Sequence, residues 1–364
     1  MKKRIDLSYI AALLISLAAA LLIGALILLL SGYDPLRAYS AMLSGAFSNG
    51  RHIGDMLEYA MVLCLCGLAC DIGSRVGIFN VGGEGQLLLG AIFSAQIGVW
   101  LTGLSPLVVI PLAAMGAMLA GGFYAWLPGV LKVKLRVNEV ITTIMLNSIA
   151  ASLCQFLAKG PWKNPNNNIV AGTASLPNRF WLGKLVQGSN LSTAIFAAVI
   201  MTVLTWYVMQ KTSTGYEMKL TGHNPRFARF AGLKTERIVI VSMVISGMMC
   251  GLVGMFRVYG AAHIYTASIS NDYYFEGLMV AMIAQYQALP TVIISFLFAV
   301  LKIGAQGMET AAGVPNQIYL IIQTVVIFSM AAEKGIRASL AAKRERRRAR
   351  AAARARVKEA NENE

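Results

Sequence analysis

A short polar stretch, GIFNVGGEGQ at residues 77–86, leads directly into the apolar run LLLGAIFSAQIGVW. Glycines weaken a helix, and a carboxylate within a membrane is costly unless partners satisfy it. Asn80, Glu84 and Gln86 could hydrogen-bond a polar solute, or one another, where the helix is broken. Two interpretations stay open: a translocation path or its gate, or a close helix–helix contact.

A second polar group lies in RVNEVITTIMLNSIA, at residues 136–150. Asn138 is a good N-cap, and an acid in the first turn favours the helix dipole. Helical spacing puts four polar residues on one face of the helix that follows: Glu139, Thr142, Thr143 and Asn147. Such a face points to a cavity or to another helix rather than to lipid. Capping combined with interhelical hydrogen bonds would explain it equally well.

The stretch TGHNPRFARFAGL, at residues 221–233, predicts a short capped helix between two apolar segments. Asn224 can cap it, Pro225 suits the first helical position, and Gly232 suits the stop. Phe227 and Phe230 then lie on one side. Exposed aromatics on a capped helix favour docking into a groove on a partner protein. The alternative is a helix that lies flat on the membrane surface.

Enzymatic motifs are missing from the sequence. It contains no HExxH, no G-x-S-x-G and no phosphate-binding GxxxxGK[ST]. The three histidines have no metal-ligand spacing, and CLCGLAC matches no zinc pattern. We therefore expect no catalytic residue, no metal and no cofactor.

The composition is that of a polytopic membrane protein. The 364 residues are 57% hydrophobic and 13% charged, whereas about a quarter of a soluble domain is charged. Apolar runs predict an all-α fold with about ten transmembrane helices, the second and eighth short enough to be re-entrant. The first helix is retained rather than cleaved. The segments lie near 10–31, 56–72, 78–101, 107–131, 139–159, 191–210, 237–258, 277–289, 291–308 and 316–333.

Basic residues predict the orientation. An even number of spans, with a basic N-terminus inside, puts both termini in the cytoplasm. We expect residues 1–338 to form a transmembrane domain with a cytoplasmic loop at 211–236, and residues 339–364 to form a basic cytoplasmic tail. Residues 343–358 hold nine basic residues and one acid. No aromatics are interleaved, so the tail favours lipid over nucleic acid.

Ten segments with both termini on one side permit two inverted five-helix halves, a plan common among transporters. A weak internal echo supports this arrangement. IFNVGGEGQLLLGA, at residues 78–91, is echoed by YYFEGLMVAMIAQ at 273–285, where an aromatic, an acid and a glycine again precede an apolar run.

Several phrases together resemble a known family. GIFNVGGEGQLLLGA, VNEVITTIMLN, STGYEMKLTGHNPRFARFAGL, VISGMMCGLVGMF and GVPNQIYLIIQTVVIF follow one another in order along nearly the whole chain. The chain is similar to the permease subunits of ATP-binding-cassette importers, in the branch for simple sugars, branched-chain amino acids and nucleosides. The likeness is greatest to guanosine-type permeases.

The resemblance implies an importer complex built from several chains. It has two permeases, identical or similar, two cytoplasmic ATPase subunits, and a lipid-anchored solute-binding protein outside a bacterial cell membrane. Its signature phrases assign the translocation path or its gate to Asn80, Glu84, Gln86, Asn138 and Glu139. Thr142 and Asn147 are added to this set because they lie on the helix that begins at Glu139. Residues 213–233 correspond to the ATPase-coupling region, with Gly222, Asn224, Pro225, Phe227, Phe230 and Gly232 as the coupling residues.

One segment departs from the family pattern. Where related permeases carry small glycines, this chain has MVAMIAQYQALP at residues 279–290. A narrower and more polar path there could change the solute. The expected cargo is a nucleoside or a related sugar-containing solute. The alternatives are a permease for simple sugars such as ribose and, in a different class, an ion-coupled secondary transporter.

Overall fold

The computed structural model describes residues 7–165, 172–315, 317–318 and 320–328, with side chains from residue 18 onward. These residues are almost entirely helical, and their β pairing is limited to two isolated bridges. The all-α prediction is confirmed. The helices are α1 Leu7–Leu30, α2 Pro35–Phe47, α3 Gly50–Arg75, α4 Gly83–Trp100, α5 Pro106–Leu135, α6 Glu139–Lys159, α7 Ala194–Lys211, α8 Ser213–His223, α9 Pro225–Phe230, α10 Thr235–Arg257, α11 Tyr273–Ile283 and α12 Ala288–Ala312.

Six of the described helices are long and apolar enough to cross a membrane: α3, α5, α6, α7, α10 and α12. A seventh span results if the bent pair Ala18–Leu30 and Pro35–Phe47 counts as one. The eighth predicted segment is short, as expected, because α11 has 11 residues. The total of about ten spans and the inverted halves stay predictions.

In the first quarter of the chain, one expectation was wrong and one helix was not expected. The second predicted segment is not short, since α3 has 26 residues and begins well before its apolar run. Asn49 caps it, accepting a hydrogen bond from the His52 N–H at 2.9 Å, and this extends the helix through polar residues. The helix α2 was not predicted at all, because its mixed composition resembles a loop between spans.

The chain divides into two units, residues 1–40 with 308–364, and residues 41–307. In the first unit, the Tyr39 hydroxyl donates to the Leu21 carbonyl at 2.7 Å. The second unit holds all the predicted site residues. The basic tail at 339–364, residues 329–333 of the tenth segment and residues 166–171 of the loop at 159–184 lie outside the described residues.

Glycines bring α4, α5 and α10 into backbone contact at the centre of the second unit. A Cβ at Gly90 would collide with the backbone of Gly251, and a Cβ at Gly121 would lie 3.0 Å from the Gly251 Cα. Small residues at facing positions are what lets transmembrane helices approach this closely. This tight packing fixes the polar residues that α4 and α10 carry.

Candidate functional site

The predicted helix break lies between α3 and α4. The chain leaves α3 after Arg75, and Gly77 takes a φ of +78°, a conformation that favours glycine. The Ile78 N–H then bonds back to the Gly73 carbonyl at 3.1 Å, so the chain reverses direction. It runs back along α3 and starts α4 at Gly83 inside the bundle. The glycine-rich stretch therefore interrupts the helices as expected.

Asn80 and Gln86 form a reciprocal amide pair in this break. Asn80 Nδ2 donates to Gln86 Oε1 at 2.9 Å, and Gln86 Nε2 donates to Asn80 Oδ1 at 3.1 Å. Asn80 also donates to Ser246 Oγ on α10 at 2.9 Å and accepts from the Gly82 N–H at 3.1 Å. Both amides are buried, so the hydrogen bonds replace the water that they lose.

Neighbouring helices complete the arrangement. From α6, Asn147 accepts from the Gly85 N–H and donates to the Val81 carbonyl, both at 2.9 Å. From α11, the Tyr274 N–H donates to Glu84 Oε2 at 3.3 Å, and the Tyr274 hydroxyl donates to the Asn80 carbonyl. The six side chains of this hydrogen-bonded group, which we name the junction, are Asn80, Glu84, Gln86, Asn147, Ser246 and Tyr274.

The junction ties five helices to one another. Ser246 Oγ donates in turn to the Ala69 carbonyl of α3 at 2.7 Å, which adds α3 to α4, α6, α10 and α11. Glu84 also lies at the N-terminus of α11, where a carboxylate is favoured by free N–H groups. The two segments of the predicted internal echo therefore meet at their starts. These contacts are those of a helix–helix connection built from buried polar groups.

Three predicted residues lie apart from the junction, at the start of α6. Asn138 caps the helix by accepting from the Val140 N–H at 2.9 Å, as predicted. Glu139 forms an ion pair with Lys132 of α5 at 2.6 Å. Thr142 Oγ1 donates back to the Asn138 carbonyl at 2.8 Å. The expected polar face of α6 thus splits between a helix cap and, through Asn147, the junction.

The residues predicted for coupling, apart from Gly222, form or flank the short helix that the sequence predicts. Asn224 Oδ1 accepts from the Phe227 N–H at 3.0 Å, Pro225 begins α9, and Gly232 ends it with a φ of +82°. Phe230 is 92% exposed, and Phe227 is 56% exposed. We call α9 the docking helix after its predicted role, because both of its phenylalanine side chains are exposed, whereas Ala228 is buried.

Gly222, at the end of α8, connects the docking helix to the helix break. A Cβ at Gly222 would lie 3.0 Å from the Gly77 nitrogen and would collide with the Arg75 carbonyl oxygen. Backbone thus contacts backbone where α3 ends. The end of α8 is therefore in direct contact with the residues that lead into the junction.

Comparison with known proteins identifies the class of molecule. Residues 52–331 match the family described as branched-chain amino acid transport system / permease component. The chain belongs to this permease family. It is therefore a transport subunit and a multi-pass membrane protein.

Three relatives align over 91% of the permease. It is 32% identical to a guanosine ABC transporter permease of Bacillus subtilis, over 95% of that protein. It is 31% identical to a nucleoside ABC transporter permease of Lactococcus lactis, over 96% of that protein, and to a glucose ABC transporter permease of Haloferax volcanii, over 90% of it. Among solved structures, PsaBC from Streptococcus pneumoniae aligns with 80% of the permease and over 95% of its own chain. The identity is 13% and the TM-score is 0.47.

The permease also holds charged residues that the sequence analysis missed. Arg257, the last residue of α10, pairs with Glu58 of α3. Lys302 of α12 lies 3.6 Å from Glu276 of α11, and Glu276 also accepts a hydrogen bond from the Tyr59 hydroxyl. We name Glu58, Arg257, Glu276 and Lys302 the charged cluster. Two acids and two bases in otherwise apolar segments were the signal that could have revealed it.

Proposed function

We propose that this permease imports a nucleoside or a related sugar-containing solute. The observation that carries the proposal is the alignment, over 91% of the chain, with two proteins named for guanosine and nucleoside transport. An alignment of that extent includes both the junction and the docking helix. The established part is the permease family, and the proposed part is the cargo.

ATP hydrolysis is proposed to occur on a separate cytoplasmic chain that binds the docking helix. Two exposed phenylalanines offer an apolar anchor, and Arg226 and Arg229 beside them are also exposed. A groove with an apolar floor and an acidic rim would complement this surface. In this arrangement Gly222 transmits the movement, while Asn224, Pro225 and Gly232 fix the helix in shape.

The basic residues support a cytoplasmic position for the docking helix. Lys211, Lys219, Lys234 and Arg237 flank it, and excess Lys and Arg mark the cytoplasmic side of a membrane. Both termini then lie in the cytoplasm of a bacterial cell, with residues 339–364 as a tail against the lipid. A second permease copy or a similar chain and an extracytoplasmic binding lipoprotein complete the proposed importer.

We infer different roles for the two groups of predicted path residues. The junction residues Asn80, Glu84, Gln86 and Asn147 are each engaged by partners within the bundle, which suits a fixed point about which a gate turns. Asn138, Glu139 and Thr142 lie apart from the junction at the start of α6, and each is exposed or half-buried rather than fully buried. The latter three are the better candidates for contact with a passing solute.

A simple sugar is the second candidate cargo. One observation favouring it is the relative named for glucose transport, at 31% identity. Another is the turn after α11, where Gln285 and Tyr286 take φ values of 56° and 55°. These left-handed conformations suit glycine, so two bulky side chains stand where small ones fit more easily. Tyr286 packs edge-on against Phe79 of the helix break, with ring centroids 5.9 Å apart.

Uptake by cells expressing the permease with its candidate ATPase and binding protein tests the proposal. Labelled guanosine, adenosine, ribose and glucose are offered, with ATP depletion and a proton uncoupler applied separately. We expect nucleoside uptake that fails on ATP depletion and survives the uncoupler at maintained ATP.

The other outcomes separate cargo from mechanism. Ribose or glucose uptake with the same energetics would overturn the nucleoside assignment and keep the importer. Uptake by the permease alone, abolished by the uncoupler, would overturn the proposed ATPase coupling.

A further inference from the structure

The charged cluster lies far from the docking helix. The helix α10 begins at Thr235, just after the docking helix, and ends at Arg257. Its 23 residues rise 1.5 Å each, so about 33 Å separates its two ends. The cluster is therefore at the opposite end of the bundle. It plays no part in the roles proposed above.

The cluster joins four helices, at the last residue of α10, in the first turn of α11 and within α3 and α12. One ion pair links α3 to α10, the other links α11 to α12, and the Tyr59 hydroxyl connects the two by donating to Glu276. The Arg257 guanidinium also lies 4.8 Å from the centre of the Tyr273 ring, which adds a contact from α10 to α11. These contacts connect α3, α10 and α11 to one another, and the pair with Lys302 attaches α12 to them.

The charges are held with little access to water. Their side chains are between 8% and 22% exposed, Lys302 being the most accessible. Charges in such surroundings are stable only when paired or when opened to water. The pairs therefore favour two arrangements of the four helices, one closed with the charges paired and one open with the charges hydrated.

The backbone beside the cluster is unusual on both sides. A π-helical turn, Val258–Ala262, directly follows Arg257. Asn271 and Asp272 take φ values of 40° and 59° immediately before α11, in the region that non-glycine residues avoid. Such turns and strained residues occur preferentially at sites that change conformation. Two of the four helices, α10 and α11, thus have an unusual backbone segment close to their charged residue.

We propose that the charged cluster is a latch that keeps the bundle closed at the end where solute is received. The receiving end is identified by the proposed function, which places the docking helix in the cytoplasm. When the latch opens, the pairs separate, the charges become hydrated, and α10 and α11 move about the π-turn and the strained pair.

A cysteine reporter tests the latch without reference to the cargo. Val280 is fully buried on α11, one turn beyond Glu276, so Val280→Cys reports on whether this helix end opens. Its labelling by a membrane-impermeant thiol reagent is followed in the assembled complex, with the protein lacking the reporter as background. In Glu58→Gln we expect the labelling rate to rise about tenfold, because a lost pair shifts the population toward the open state.

Three further variants keep the test decisive. Asp55→Asn is the matched control, because Asp55 lies one turn before Glu58 and pairs with Arg51, at 3.9 Å, outside the charged cluster. Its hydrogen bond from the Asn190 N–H, at 2.7 Å, can still be accepted by the asparagine oxygen. It should label at the parental rate. Exchanging the charges, Glu58→Arg with Arg257→Glu, should return the rate toward the parental value. Lys302→Gln takes the place of Glu58→Gln if that variant fails to fold. Lys302 is the most exposed member of the cluster, so its loss should open the helices least.

The outcomes distinguish the latch from the proposed function. Parental labelling in a folded Glu58→Gln or Lys302→Gln protein would overturn the latch. A charge exchange that folds but labels like Glu58→Gln would do so as well, because it would mean that pairing is not what closes the end. Faster labelling in a permease that takes up no nucleoside would keep the latch and remove the cargo assignment.

Discussion

The junction and the docking helix invert the usual relation between polarity and burial. In the junction, amides and a carboxylate are buried and satisfied by partners on five helices. On the docking helix, the side chains of Phe227 and Phe230 are 56% and 92% exposed. Buried polar groups with complete partners hold a fold in one arrangement, whereas two exposed aromatics on one short helix are what the proposed binding of a partner requires.

This difference predicts opposite consequences of mutation. A change in the junction should lower stability, because it leaves buried partners unpaired. A change on the docking helix should leave the fold intact and affect only coupling to the partner. The contact of Gly222 with the helix break lies between the two regions and should affect both.

The largest loss of stability is expected from Asn80→Leu. This change removes the partners of the Gln86 amide, of Ser246 and of the Gly82 N–H at once. We expect about 3 kcal/mol of destabilisation, because each buried group left unpaired costs about 1–3 kcal/mol. The midpoint of thermal unfolding in detergent measures it.

The control is Asn178→Leu, at an exposed position that begins a short 3-10 helix, and it should leave the midpoint unchanged. If Asn80→Leu unfolds at the same temperature as the parent, the junction does not hold the helices together.

A smaller loss is expected from Gly222→Val. A side chain here must displace the Arg75 carbonyl, and overpacking of this kind costs about 1–3 kcal/mol. Because the contact lies between the docking helix and the helix break, solute-stimulated ATP hydrolysis by the complex should fall as well. Gly103→Val, at a position with no atoms within 4 Å, is the control. A Gly222→Val protein with parental stability and coupling would show that this contact transmits nothing.

The smallest loss of stability is expected from removing an asparagine cap, and two caps with the same chemistry can be compared. Asn138→Ala removes the cap of the 21-residue helix α6, and we expect about 1 kcal/mol of destabilisation. Asn224→Ala removes the cap of the six-residue docking helix, whose fraying affects little else. It should lower coupling more than thermal stability. Equal thermal losses in the two variants would argue that the docking helix is part of the core.

The sequence was most informative where local rules determine the structure. The two asparagine caps, Gly232 as the helix stop and the break at Gly77 follow from side-chain hydrogen bonds and from glycine's tolerance of positive φ. The family resemblance placed these elements in order along the chain. It also assigned Asn80, Glu84, Gln86, Asn138 and Glu139 together to the path or its gate, and of these the structure brings the first three into the junction.

The missed features depend on contacts between distant segments. Ser246 and Tyr274 are unremarkable in sequence, and only packing brings them to Asn80 across more than 160 residues. The charged cluster likewise joins residues from four separate segments. The polar first turns of α3 hid its true length, because hydropathy alone does not detect a helix that begins with charged residues.

The most direct test of this account is Phe230→Asp, measured for both thermal unfolding and solute-stimulated ATP hydrolysis in the reconstituted complex. Trp100→Asp is the matched control, since Trp100 is an aromatic residue at the other end of the bundle and is 63% exposed. We predict an unfolding midpoint equal to that of the parent, because exposed substitutions usually change stability by less than about 0.5 kcal/mol, together with loss of the stimulation. Normal stimulation in Phe230→Asp, or a loss that Trp100→Asp shares, would contradict the assignment of α9 as the docking helix.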